Sequence, residues 1–286
     1  MRKFASIAAG LVALALPALA AVWPAAWTKP TEPYHVAGNI YYVGSEGLSA
    51  YLISTSSGLI LIDGGMPDGG ADIIEANIRR LGFKAADVKI LLNTHAHIDH
   101  AGGLAKLKAD TGAKLYASGG DRKALEQGRH IGDNENGEVS FPPVKVDRTV
   151  RDGDKIKLGE TVLIAVLTPG HTPGCTTWTL AVNDKGRPLN AVFYGSTSVA
   201  GNALVGNKAY PRIVDDYRQS FTRLKATPAD LFLPNHPEMA DLAAKRGRAL
   251  TPGSNPFVDP GEMSRYVARS EQEFQRELAR QQGATR

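Results

Sequence analysis

The sequence predicts an α/β protein of two similar halves, each a sheet with helices packed outside it. Three observations lead there. Short runs of β-branched and aromatic residues, separated by Gly and Ser, recur in both halves and read as strands. Each half also carries segments with apolar residues at helical spacing. Side chains able to bind metal concentrate in loops at the ends of the expected strands, where a rigid scaffold presents function.

In chain order, the runs at 40–43, 50–53 and 59–62 form a meander of strands. Gly64, Gly65, Pro67, Gly69 and Gly70 mark a turn. Ile73, Ile74, Ala76 and Ile78 then place a helix over 71–81. A mostly apolar strand follows at 88–92, with a loop at 95–100 after it. The reading continues with a helix at 103–109 and a strand at 114–117. The polar Gly, Asn and Pro cluster at 133–143 reads as a hinge between the halves. The second half begins near Asp152, with strands at 155–158, 161–167, 176–182 and 191–194. A Pro/Gly-punctuated loop interrupts them at 168–174. Residues 215–224 read as a helix, 231–233 as a short buried strand, and 262–282 as a charged helix.

Residues 1–20 stand apart from the fold. Arg2 and Lys3 precede an apolar stretch from Phe4 to Leu16, and Pro17 leads into Ala18-Leu19-Ala20. That pattern is a secretory signal peptide with a small-residue cleavage site. It leaves 21–286 as an exported, soluble domain, periplasmic and free of the membrane after cleavage, and expected to be a monomer. The full chain has 33 Lys plus Arg and 29 Asp plus Glu. Loss of Arg2 and Lys3 leaves a net charge near +2, which points to no charged partner. No basic run with interleaved aromatics is present, so nucleic acid is not expected. The one cysteine, Cys175, excludes an internal disulfide.

The chemistry concentrates in Thr94-His95-Ala96-His97-Ile98-Asp99-His100. Residues two apart on an extended loop point the same way, so His95 and His97 reach one ion together. Asp99 and His100 point differently and suit a second ion. His171, in Pro-Gly-His-Thr-Pro-Gly, completes the first set, and His236, in Pro-Asn-His-Pro, completes the second. Imidazole and carboxylate donors, three per ion with a position left open, point to two Zn2+ ions in a catalytic arrangement. No Gly-x-Ser-x-Gly elbow, Ser-x-x-Lys motif or phosphate-cradling loop offers another scheme.

His-x-His-x-Asp-His, followed by Gly-His-Thr-Pro-Gly and a late His, resembles the signature of the metallo-β-lactamase fold superfamily, over about Tyr34 to Arg248. The resemblance implies a four-layer αββα sandwich with the metals at one edge, between the halves. It also implies a structural role near the site for Asp63, in Leu61-Ile62-Asp63-Gly64-Gly65. Thioesterases, lactonases and nucleases of that superfamily carry Gly-Asp after a late strand, and the Asp bridges both metals. Here the matching stretch is Phe193-Tyr194-Gly195-Ser196-Thr197-Ser198, with Ser196 in the bridging position. That pattern resembles the third subclass of zinc β-lactamases. Thr176-Thr177-Trp178, Tyr210-Pro211 and Asp215-Asp216-Tyr217-Arg218 support the same resemblance.

The resemblance implies opening of the β-lactam amide of antibiotics by a metal-bound hydroxide. Asp99 would serve catalysis as well as the second metal, and Ser196 and Ser198 would bind the substrate carboxylate. An exported lactonase or thioesterase, or a non-catalytic metal-binding homologue, is the alternative. Some members staple the C-terminal region with a disulfide, which this chain lacks the cysteines to form. Cys175 reads as a small buried residue. His35 and His130 are each candidates to line the active-site mouth, but the plainer reading of both is a surface or partly buried imidazole. Trp23, Trp27 and Tyr34 are expected to flank the cleft.

Overall fold

The computed structural model describes residues 23–134, 139–249 and 254–284. The signal-peptide reading at 1–20 lies outside them. Among the described residues, no helix is long and apolar enough to cross a membrane.

The first half contains β1 (Tyr34–Ala37), β2 (Ile40–Tyr42), β3 (Tyr51–Thr55) and β4 (Gly58–Ile62). α1 (Gly70–Arg80), β5 (Val88–Leu92), α2 (Ile98–Ala101) and α3 (Leu104–Thr111) follow. β6 (Lys114–Ser118), α4 (Gly119–Gln127) and β7 (Arg148–Val150) complete it. The seven strands form one sheet in sequence order, antiparallel from β1 to β4 and parallel from β4 to β7.

The second half contains β8 (Lys155–Leu158), β9 (Thr161–Leu167), β10 (Thr176–Asp184) and β11 (Arg187–Tyr194). α5 (Ile213–Ala226), β12 (Leu231–Pro234), α6 (Leu242–Ala249) and α7 (Glu262–Ala284) follow. Its sheet runs β12-β11-β10-β9-β8, antiparallel except for the parallel pair β11–β12.

Side-chain alternation builds the layers. In β4, Leu59 and Leu61 join the cluster made with Ile74 and Ile78 of α1 and Leu104 and Leu107 of α3. Ile60 and Ile62, of opposite parity, join the cluster made with Trp178, Leu180 and Phe193 of the second sheet. A strand buried on both faces reads as an unbroken apolar run, as β4 does. Tyr217 and Phe221 of α5 and Phe274 of α7 extend the second cluster over the outer face of the second sheet. The result is the expected αββα sandwich.

Three sequence readings change. The 95–100 segment is not all loop, because Ile98–Ala101 forms a short helix with His97 as its N-cap. The 133–143 cluster does not divide the halves. β7, further along the chain, pairs with β6 in the first sheet, so the sheets change over at 151–154. Gly and Asn mark a turn in composition, but which sheet a later strand joins depends on pairing that composition does not encode. Finally, β1, β7, α4 and α6 escape the pattern reading. β1 and β7 are about as short as β2 but open on half-buried or exposed residues, Tyr34-His35 and Arg148-Thr149, so neither shows an apolar run.

Candidate metal centre

β9, β11 and β12 point the same way, since β9 and β11 each run antiparallel to β10 and β12 runs parallel to β11. Their C-terminal loops therefore collect at one edge. His171 follows β9, Ser196 and Ser198 follow β11, and His236 follows β12. From the facing sheet, the segment after β5 carries His95 and His97, and α2 carries Asp99 and His100. Backbone bonds clamp the two sheets here: Thr176 N–H donates to Thr94 O at 2.7 Å, and Ser49 N–H to Asn235 O at 2.8 Å.

All six residues singled out from the sequence meet at this edge. The donor atoms of His95, His97 and His171 lie within 4.8 Å of one another, as do those of His95, Asp99 and His100. His236 Nε2 sits 3.2 Å from His100 Nε2 and 3.3 Å from Asp99 Oδ2. The two sets expected from the sequence thus share an edge at His95 and form one cluster.

The outward nitrogens of these rings decide what the inward ones can do. His171 Nδ1 donates to Ser198 O at 2.8 Å, leaving Nε2 without a proton. Thr94 Oγ1 gives its one hydrogen to Asp63 Oδ2 at 2.6 Å, so it accepts from His95 Nδ1 at 3.2 Å. His95 Nε2 is therefore bare as well. These two bare nitrogens face each other at 3.1 Å. Two lone pairs at that distance repel unless a cation lies between them, so the donor set fits a metal ion. Burial, with neighbouring imidazoles adding, holds His95 and His97 well below the usual histidine range, and burial brings His171 to about 4. All three are neutral at pH 7, the form that binds metal. Burial opposes the charge on Asp99, but His100 and His236 hold its carboxyl well below the usual range. It stays an anion.

Asp63, expected to be structural, is a buried hub at the end of β4 with φ 64°. Beyond Thr94 Oγ1, its carboxylate accepts from Asn93 Nδ2 and Thr94 N–H, and it lies 3.6 Å from His100 Nδ1. Asp121 is a second hub that sequence reading missed. At the N-terminus of α4 it accepts from Ala96 N–H, Thr172 Oγ1 and Gly174 N–H, at 2.8–2.9 Å. It ties the His95/His97 segment to the His171 loop. Nothing in Ser-Gly-Gly-Asp advertises that role, because its partners lie 25–53 positions away.

A cleft of about 390 Å³ opens over the cluster. His97, Asp99, His171 and His236 line it, with Ser196 and Ser198. Ser196 Oγ lies 3.1 Å from Ser198 Oγ. Trp23 and Trp27 stack with ring centroids 5.5 Å apart on the cleft wall, and Trp27 rests 5.6 Å from the His236 ring. Tyr34 is not there; it stacks between Tyr42 and Phe257 in the core. His130 is the partly buried imidazole expected, and it lines the cleft, with Nδ1 2.9 Å from His97 Nε2. His35 bonds Gly38 O away from the site, and Cys175 is buried with its thiol pushed up to about 12.

Comparison with known proteins agrees with this geometry. A subclass B3 metallo-β-lactamase of Bradyrhizobium japonicum superposes with a TM-score of 0.87 at 46% identity, covering 92% of this chain and 99% of that one. The FEZ-1 metallo-β-lactamase of Legionella gormanii gives 0.85 at 39% identity, covering 91% and 99%. Among curated sequences, a hydroxyacylglutathione hydrolase of Rhodospirillum rubrum is 28% identical over 139 residues, which span 49% of this chain and 44% of that protein. A hydroxyacylglutathione hydrolase of Methylococcus capsulatus is 26% identical over 196 residues, spanning 59% and 68%. The profile of the metallo-β-lactamase superfamily matches residues 43–236, from the end of the first strands to the last clustered histidine. This chain belongs to the metallo-β-lactamase superfamily, a metal-binding hydrolase of that fold.

Proposed function

We propose that the protein is a zinc β-lactamase of the B3 kind, opening the β-lactam amide of antibiotics and so conferring resistance. One observation carries the choice: Ser196, not a carboxylate, follows β11 at the wall of the cleft, buried to 3% exposure beside the histidine cluster. A carboxylate there would draw two ions together and fill the space. A neutral hydroxyl leaves that space, and its hydrogen, to an anionic substrate.

In this reading His95, His97 and His171 hold one zinc ion, and Asp99, His100 and His236 hold a second. Zinc supplies Lewis acidity and makes hydroxide available near neutral pH. The chain's own groups do the rest. Asp99, kept anionic, accepts a hydrogen bond from the attacking water and orients it. Ser196 and Ser198 donate from their hydroxyls to the substrate carboxylate. The stacked Trp23 and Trp27 offer an apolar face to the substituent of the drug and exclude water from one side. The 1–20 leader fits the same reading, since export delivers the enzyme to the periplasm.

The curated relatives named hydroxyacylglutathione hydrolase support a second reading, a thioesterase. Hydrolysis of a chromogenic cephalosporin and of a hydroxyacylglutathione thioester, each with and without a chelator, separates the two. Chelator-sensitive cephalosporin turnover is expected. Turnover of the thioester alone would replace the proposal, and zinc binding without either turnover would mark a non-catalytic homologue.

A further inference from the structure

The third histidine of the first set has an unusual outward partner. His95 is braced by a hydroxyl and His171 by a backbone carbonyl, whereas His97 Nε2 meets another imidazole, His130 Nδ1, at 2.9 Å. The rings are 4.8 Å apart between centroids. His130 is itself well anchored. It follows α4, which ends at Gly128 with φ 66°. Phe141 N–H donates to Gly128 O at 2.8 Å, and Arg129 bridges to Ser140.

A hydrogen bond between two neutral imidazoles needs one N–H and one bare nitrogen. If His97 Nε2 donates, its Nδ1 is left as the lone pair for the cluster, matching the bare Nε2 atoms of His95 and His171. If His130 donated instead, His97 would carry its proton on Nδ1 and could not bind metal as a neutral ring. The three-histidine set therefore requires His130 to accept.

We propose that His130 is a positioning residue that fixes the tautomer and ring plane of His97 for metal binding. The proposal rests on reading the cluster as a metal centre. Partners of this kind, one step behind a ligand, typically alter metal affinity about 10–100-fold when removed. Asparagine should substitute, because its Oδ1 occupies nearly the place of His130 Nδ1 and accepts. Leucine should not.

The test uses the full mature protein carrying His236→Ala, which weakens the second set and leaves the first to be read alone. Zinc affinity is measured by chelator competition, and the visible spectrum is recorded with Co2+ in place of zinc. Adding His130→Leu should weaken zinc binding about 10–100-fold and change the intensity of the cobalt bands. Adding His130→Asn should restore both to within about threefold. Unchanged affinity and spectrum in His130→Leu would overturn the proposal, and so would an Asn variant as weak as the Leu variant. The unsubstituted protein is titrated first. If it binds no zinc, the metal-centre reading itself fails, an outcome distinct from failure of the His130 role.

Discussion

His95 Nε2 and His171 Nε2 face each other at 3.1 Å, and the outward bonds of both rings leave each as a bare lone pair. The protein should therefore be more stable with zinc than without it. Excess zinc at a hundred times its dissociation constant adds about 2.7 kcal/mol to unfolding free energy. Thermal melts with zinc and with chelator read this directly. His97→Ala and Asp99→Ala should keep the fold yet lower β-lactam turnover by two orders of magnitude or more. Normal turnover in either variant would remove that residue from the centre.

The metal-free protein should lose stability as pH falls from 7 to 5. Burial lowers His171 to about 4 from an ordinary value of 6.5. Between those values the unfolded chain binds the extra proton, so stability declines with falling pH, by about 2 kcal/mol at pH 5 for this ring. Burial displaces His95, His97 and His130 in the same direction. Asp63, Glu75 and Asp121, which burial raises (Asp121 to about 6), and His100, which Asp99 raises against the effect of burial, oppose them, because the fold favours their protonated forms. The imidazoles prevail because burial holds His95 and His97 well below the usual histidine range and His171 at about 4, which gives a net loss. A urea midpoint that held steady or rose from pH 7 to 5 would contradict this balance.

Replacing Asp121 with Ala should destabilise the fold by about 3 kcal/mol or more. It would strand the buried Ala96 and Gly174 N–H groups, each worth about 1–3 kcal/mol. Because Asp121 joins the two segments that carry His95, His97 and His171, zinc affinity should fall with it. Urea unfolding and chelator competition on the same variant test both effects.

Gly170→Ala should cost about 2–4 kcal/mol and misplace His171. Gly170 has φ 134°, and a Cβ there would lie 2.7 Å from the Tyr217 ring. That ring cannot retreat, being fully buried with its hydroxyl donating to Ser198 O at 2.7 Å. A variant with unchanged stability would show that the loop relaxes.

Substituting Ser196 and Ser198 together by Ala should raise KM for a cephalosporin about 10–100-fold, as for loss of hydrogen bonds to a charged group, with a smaller change in kcat. The backbone carbonyl of Ser198 remains to hold His171, so zinc content should stay normal. A fall in kcat with unchanged KM would place these hydroxyls elsewhere in the reaction.

Much of this centre is legible in the amino-acid sequence. His95, His97, Asp99 and His100 are spaced closely enough to betray a shared task, and His171 and His236 sit in Pro/Gly/Asn-rich turns at strand ends. The strands of the two sheets are legible in their apolar runs. His130 is not, because its one distinguishing bond is to a ring 33 positions away. Asp121 is hidden for the same reason, whereas the start of the second half near Asp152 is legible and only the hinge at 133–143 is misplaced.

The sequence alone determined the fold class and the six candidate donor residues, and its resemblance to the superfamily implied Ser196 in the place of a bridging carboxylate. These are matters of residue type and local spacing, carried by the covalent chain. The tertiary structure decided which nitrogen of each ring faces inward, that His95 belongs to both groups of donors, and that His130 stands behind His97. Each of those depends on hydrogen bonds and close contacts across the two sheets, and such contacts exist only once the chain has folded.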